Sequence, residues 1–181
     1  MTQRWIVTAL GKDRPGIVAG VTKVLYKCGG NLEDSAMKRL EGEFAIMLIF
    51  SMTNAVTEAQ LLQRFEPLQR KLNLVVHVRP LRRSETAAPK ALGPRYLISV
   101  YGADRPGIVL KVSDMLARAG VNIVDVHTHR SVGRGPSLYL LILEVELPSR
   151  LSSASLEGRL KRLAGLLGVE VSLRPAEPNV L

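Results

Sequence analysis

The hydrophobic positions of the chain follow a fixed order of patterns, and this order occurs twice. Each time, a β-branched run leads into apolar residues at helical spacing, a glycine, two strand-like runs, a second helical pattern and a closing strand. In the first half the predicted strands cover residues 5–10, 31–39, 44–50 and 74–79, and the helices begin near Ile17 and Asn54. In the second half the strands cover residues 96–101, 122–131, 138–143 and 169–174, and the helices begin near Ile108 and Ser152. Gly29 and Gly120 are predicted to end the first helix of each half.

This order of elements predicts the fold class. The arrangement β-α-β-β-α-β is typical of the ferredoxin-like split βαβ unit. We therefore expect an α+β protein with two tandem ferredoxin-like βαββαβ units, each an antiparallel sheet with both helices on one face. Pro67 is expected to kink or divide the second helix of the first unit.

The third strand of each unit shows an unusual pattern. Residues 44–50 and 138–143 are continuously apolar, although a strand with one bare face should alternate apolar and polar residues. We expect the bare face to be covered by the other repeat or by a second chain. The alternative is a central strand with a few exposed apolar residues, which is common in soluble proteins.

The two halves are related by an internal duplication. Residues 11–34 align without a gap on residues 102–125, and twelve of these 24 positions are identical. Between the copies lies a stretch with three prolines and few large apolar residues, which is typical of a linker. The predicted organisation is a first domain at 1–79, a linker at 80–94, a second domain at 95–175 and a C-terminal tail at 176–181.

Charge and composition restrict the class of protein. The net charge is +9, with an excess of +4 in the first domain, +2 in the linker and +3 after it. A diffuse positive charge favours weak, salt-sensitive association over sequence readout of nucleic acid. No apolar run approaches a membrane span, no secretory signal is expected, and a single cysteine cannot form an internal disulfide. We expect a cytoplasmic protein.

The repeated hexapeptide DRPGIV, which joins the first strand to the first helix of each unit, has the chemistry to bind a small zwitterion. A helix start offers backbone N–H groups to an anion, and a glycine lets a ligand approach the main chain. Asp13 can accept from an ammonium group, and Asn31 opens the next strand with one acceptor and two donors. This combination suits an α-amino acid. The alternative is that the aspartate is an ordinary helix N-cap.

These residues resemble the ACT domain. The segments that carry the resemblance are GKDRPGIV with GGNLED in the first copy, GADRPGIV with GVNIVD in the second, and SMTNAV after the third strand. Two such units in a chain of this size resemble the glycine cleavage system transcriptional repressor family. The resemblance implies a ferredoxin-like fold whose paired domains bind an amino acid at their interface. It places the candidate ligand-binding residues at Asp13, Gly16, Ile17, Asn31, Asp104, Gly107, Ile108 and Asn122.

The resemblance also implies a function. It is that of a cytoplasmic regulator without a DNA-binding domain, which responds to glycine and restrains a separate transcriptional activator through protein contact. The expected partners are a small amino acid such as glycine or serine, a transcriptional activator or an enzyme, and further copies of the chain in a homo-oligomer. The alternative function is a trans-acting allosteric subunit of an amino-acid metabolic enzyme. No cofactor, metal, membrane or sequence-specific nucleic-acid partner is expected.

The sequence carries no catalytic motif, so we expect a protein that is not an enzyme. An RNA-binding module shares the predicted topology, but the strands FAIMLIF and LYLLIL lack the basic-glycine-aromatic signature of an RRM. His127 and His129 share one strand face, which favours a polar strand surface over a metal site. Cys28 falls on the apolar stripe of the first helix and is predicted to lie in the core.

The two loops differ close to the candidate site. Lys12, Gly20 and Gly30 of the first copy correspond to Ala103, Lys111 and Val121 of the second. We therefore do not expect two equivalent sites, and the second loop could prefer a larger or acidic amino acid.

Overall fold

The computed structural model describes residues 2–82, 93–131 and 137–176. The chain forms two compact units, Met1–Ala88 and Pro89–Leu181, called unit 1 and unit 2. Most of the predicted linker, the predicted turn at 132–136 and nearly all of the predicted tail lie outside the described residues.

Each unit contains four strands and two helices in the predicted order. Unit 1 consists of β1 (Gln3–Lys12), α1 (Ile17–Lys27), β2 (Asn31–Leu40), β3 (Glu43–Met52), α2 (Glu58–Leu72) and β4 (Val75–Leu81). Unit 2 consists of β5 (Arg95–Ala103), α3 (Ile108–Arg118), β6 (Asn122–Ser131), β7 (Leu138–Glu146), α4 (Ser153–Leu167) and β8 (Val169–Pro175). The sheet orders are β2-β3-β1-β4 and β6-β7-β5-β8, with every pair of neighbours antiparallel. The predicted pair of ferredoxin-like βαββαβ units is confirmed.

One face of each sheet carries the core. In β3 the alternate residues from Phe44 to Met52 are buried with Trp5, Val7 and helix residues. The residues between them, Met47 among them, are half-buried or exposed. The strand therefore alternates in burial, although both of its faces are apolar in sequence. That the bare face is covered by another repeat or chain stays a prediction.

The second helix of unit 1 departs from the sequence expectation in two ways. It begins at Glu58 rather than near Asn54, because Thr57 forms a capping box with Gln60, with reciprocal hydrogen bonds of 3.2 and 3.0 Å. Pro67 lies inside a continuous helix, so the expectation that it divides the helix is wrong. Strand β4 also extends beyond the predicted domain end, pairing Pro80 and Leu81 with β1.

Candidate functional site

Glycine begins the first helix of each unit. Gly16 and Gly107 are the N-caps of α1 and α3, with left-handed φ angles of 95° and 92° and no side-chain capping bond. The alternative that Asp13 or Asp104 caps the helix is therefore wrong. A Cβ added at Gly16 would meet no atom within 4 Å, so backbone conformation rather than space favours glycine there.

The first helical turn offers backbone donors beside this glycine. The first intrahelical bond runs from Gly20 N to Gly16 O in unit 1 and from Lys111 N to Gly107 O in unit 2. The preceding N–H groups of each helix have no intrahelical acceptor and carry its partial positive charge. The side chains of Ile17 and Ile108 are buried in the core, so these two residues can offer a ligand only their backbone.

The aspartate of each loop pairs with an arginine at the end of the second strand. Arg39 Nη1 lies 3.3 Å from Asp13 Oδ2, and Arg130 Nη1 lies 3.7 Å from Asp104 Oδ2. A backbone hydrogen bond also fixes the loop to the β2–β3 turn, since Asp13 N donates to Gly42 O at 2.8 Å. The sequence analysis does not predict a role for either arginine. Arg39 and Arg130 are 91 residues apart, the same spacing as the duplicated loops, and this repetition is the feature of the sequence that could have indicated them.

An open groove lies along this loop in unit 1. It brings together an aspartate, an arginine, a helix start and apolar side chains. Its lining consists of Asp13, Arg14, Pro15, Gly16, Ile17, Val18, Ala19, Met37, Arg39 and Phe44. A carboxylate for a cation, a guanidinium for an anion and accessible main chain are the groups that an α-amino acid requires.

The predicted asparagines lie at the opposite end of the sheet. Asn31 opens β2 opposite Ser51, whereas Arg39 lies eight residues further along, opposite Phe44. At about 3.3 Å per residue, this separation is roughly 26 Å. One unit therefore brings Asp13, Gly16 and Ile17 together but does not bring Asn31 to them. In unit 2, Asn122 lies equally far along β6 from Arg130, the partner of Asp104.

Asn122 belongs to a polar cluster that has a different composition in unit 1. Its Nδ2 atom donates to Glu146 Oε2 at 3.4 Å, and Glu146 Oε1 accepts from Arg95 Nε at 3.3 Å. Arg95 also pairs with Glu144 at 2.9 Å. Glu146 is buried, and Ser51 takes its place opposite Asn31 in unit 1. The two copies therefore differ strongly at the asparagine end.

The loop differences singled out in the sequence have mainly structural causes. A Cβ at Gly20 would lie 2.6 Å from Leu68 Cδ1, so this glycine allows α1 to pack closely on α2. A Cβ at Gly30 would lie 3.0 Å from Phe50 Cδ2, which leaves little room for a side chain. Val121, at the equivalent position, is buried in the core of unit 2. Lys12 pairs on the surface with Glu43 at 2.7 Å. Packing thus explains Gly20, Gly30 and Val121 without reference to ligand choice.

The remaining candidates are structural. Cys28 is buried in the core of unit 1, as predicted, and its Sγ accepts from Arg64 Nη1 at 3.5 Å. His127 lies on exposed β6 with its Nε2 atom 2.8 Å from Asp125 Oδ2. Within the described residues no three metal-ligating side chains come together.

Comparison with known proteins identifies the family. A family model described as the ACT domain matches residues 3–79 and 95–174, which is most of the chain. The chain therefore belongs to the ACT domain family.

Individual relatives make the likeness more specific. The chain is 28% identical over 173 residues to the glycine cleavage system transcriptional repressor of Escherichia coli (strain K12), covering 93% of this chain and 87% of that protein. A solved structure of an unknown protein from Galdieria sulphuraria has a TM-score of 0.79 and 26% identity, covering 98% of this chain and all of that one. A structure described provisionally as a glycine cleavage system transcriptional repressor shares the fold, with a TM-score of 0.68 and 19% identity over 98% of this chain and 99% of that one. The chain is an ACT-domain regulatory protein similar to that repressor.

In the part of the chain that the structure describes, none of the helices is both long and apolar enough to cross a membrane.

Proposed function

We propose that this protein is a cytoplasmic amino-acid sensor that responds to glycine or serine. It regulates transcription by binding an activator protein and does not itself contact DNA or catalyse a reaction. The similarity to a transcriptional repressor over 93% of the chain supports the regulatory role. The chemistry of the two β1–α1 and β5–α3 loops supports the ligand class.

Each loop would hold the two charged ends of an amino acid. The ligand carboxylate accepts from the first-turn N–H groups of α1 and from Arg39, while its ammonium group donates to Asp13. Arg130 and Asp104 take these roles in unit 2. The glycine N-cap leaves the main chain accessible, which favours a ligand with a small side chain.

The asparagines complete the site from a second copy of the chain. Because Asn31 lies about 26 Å from Arg39 along β2, it cannot reach a ligand at its own loop. In a homo-oligomer, the strand start of one copy can lie beside the loop of another. On this proposal, Asn31 and Asn122 can act as ligand-binding residues only when the chain forms the predicted homo-oligomer.

The observation that carries this proposal is the Asp–Arg pair beside a glycine N-cap, present in both units. A thermal-shift series with all twenty amino acids tests it. At about 100 times its Kd, a ligand adds roughly 2.7 kcal/mol to stability, which raises the Tm by several degrees. We expect a shift with glycine or serine that Asp13→Ala or Asp104→Ala reduces. No shift with any amino acid, for folded protein, would overturn the proposal.

A further inference from the structure

A second groove lies between α1 and α2 of unit 1, away from the DRPGIV loop. Its walls carry Lys23 and Lys27 from α1 and Arg64 and Lys71 from α2. Apolar residues and the Cys28 thiol line the rest of the surface, together with Gly20. The complete lining is Gly20, Lys23, Val24, Lys27, Cys28, Arg64, Pro67, Leu68 and Lys71. The groove thus combines cationic walls with an apolar floor.

The four cations of this groove are not neutralised within the described residues. Helix α1 contains no acidic residue, and the ion pair of α2 joins Glu66 to Arg70, neither of which lines the groove. Arg64 donates to the sulfur of Cys28 instead of to a carboxylate. Like charges around one concave surface repel each other, and an anionic partner would relieve this repulsion.

Unit 2 arranges its charges differently at the equivalent helix positions. Asp114 of α3 stands where α1 has Lys23, and it pairs with Arg118 at 3.0 Å. Leu166, which is 85% exposed, replaces Lys71 on the last turn of the second helix. The equivalent positions of unit 2 carry the same number of cations, Lys111, Arg118, Arg159 and Arg162, but Asp114 adds a carboxylate among them. The unit 1 groove differs in that its lining contains no carboxylate.

We propose that the groove between α1 and α2 of unit 1 binds an acidic, amphipathic segment of a partner protein. Lys23 and Lys27 are one helical turn apart, about 6 Å, and Arg64 and Lys71 are two turns apart, about 10 Å. Positive charge is thus spread along both walls, whereas a single phosphate would contact only one end. Carboxylates flanking an apolar stripe match cationic walls around Val24 and Leu68. This inference rests on the proposed function in that the partner is the protein being regulated.

Binding of a model peptide tests the groove even while the natural partner is unidentified. The probe is a short fluorescent peptide of glutamate and leucine at helical spacing, with a scrambled peptide, polyglutamate and an RNA oligonucleotide as competitors. Fluorescence anisotropy is measured on the full chain at physiological salt. We expect saturable binding of the amphipathic peptide and much weaker competition by the other three.

Charge reversal localises the binding. The variant Lys23→Glu/Lys27→Glu/Lys71→Glu is compared with Arg159→Glu/Lys161→Glu/Arg162→Glu, which makes the same charge change on exposed positions of α4. We expect the first variant to weaken peptide binding by about tenfold or more and the second by less than about threefold, because steering by net charge alone affects both alike. The single variant Lys71→Glu, with a smaller loss, serves if the triple variant does not fold.

Several outcomes would overturn the proposal. These are no binding of the peptide to folded protein, equal weakening by both triple variants, or competition by polyglutamate or RNA as strong as that of the peptide. Glycine binding is measured separately on the same variants and should be unchanged in both. Peptide binding at the groove in a protein that binds no amino acid would overturn the sensor function and leave the groove proposal standing.

Discussion

Arg39 Nη1 lies 3.3 Å from Asp13 Oδ2 and so connects the end of β2 to the loop before α1. Arg130 and Asp104 form the same connection in unit 2. The two arginine side chains are 70% and 62% exposed, and ion pairs this exposed contribute only about 0–1 kcal/mol to stability. The Asp–Arg pair of each loop therefore adds little to the stability of the fold. Its presence in both units agrees with a role in binding a charged ligand.

Substitution of both arginines should weaken ligand binding much more than it lowers the stability of the fold. We expect Arg39→Ala/Arg130→Ala to change the free energy of unfolding by less than about 2 kcal/mol in total. The same variant should lose about tenfold or more in affinity for glycine, because each charge-assisted hydrogen bond contributes roughly 1.5–3 kcal/mol. Calorimetric titration and urea unfolding measure the two effects. Arg70→Ala, which breaks an exposed pair on α2, should leave the affinity unchanged; an equal loss there would contradict the assignment.

The N-cap glycine Gly16 allows the effects of a substitution on stability and on amino-acid binding to be distinguished in the same way. Gly16→Ala places a Cβ at a φ of 95° and should cost roughly 1–2 kcal/mol of stability. Gly42→Ala, at a φ of 85° in the β2–β3 turn and also facing open space, should cost about the same. Only Gly16→Ala should also weaken amino-acid binding, since it narrows the approach to the first helical turn. If both variants bind like wild type, ligand approach at Gly16 is not restricted.

The buried carboxylate of unit 2 predicts a stability effect of its own. Glu146→Ala removes the acceptor of both Asn122 and Arg95 and should cost about 1–3 kcal/mol. Glu144→Ala leaves Arg95 paired with Glu146 and should cost less than about 1 kcal/mol. Urea unfolding measures both. Equal costs would show that burial of Glu146 adds nothing to its interactions.

Much of the fold could be predicted because periodicity and duplication support each other. The duplicated segment fixes two copies of one unit, and the capping glycines Gly29 and Gly120 end the helices where expected, at φ angles of 71°. The polar run before α2 predicts too early a start, because the capping box of Thr57 and Gln60 outweighs it. Pro67 does not divide its helix, since Leu61 and Phe65 before it are buried in the core and Leu68 and Leu72 after it pack against the same core.

The candidate site was only partly predictable. The loop residues are neighbours in sequence, so a motif reveals them. Arg39 reaches Asp13 through sheet pairing that no local pattern encodes. The same pairing places Asn31 at the far end of β2, which a linear motif cannot show.

The sensor function depends above all on binding of a free amino acid by the DRPGIV loops. Calorimetric titration of glycine, then serine, into the wild-type chain and into Asp13→Ala/Asp104→Ala measures this binding. Emission of Trp5, the single tryptophan and a core residue of unit 1, verifies that unit 1 of the variant is folded, and the Tm verifies the whole chain. We expect saturable binding to wild type and at least about a tenfold weaker affinity in the variant. Wild-type protein that binds neither amino acid, or a folded variant that binds as tightly as wild type, would contradict it.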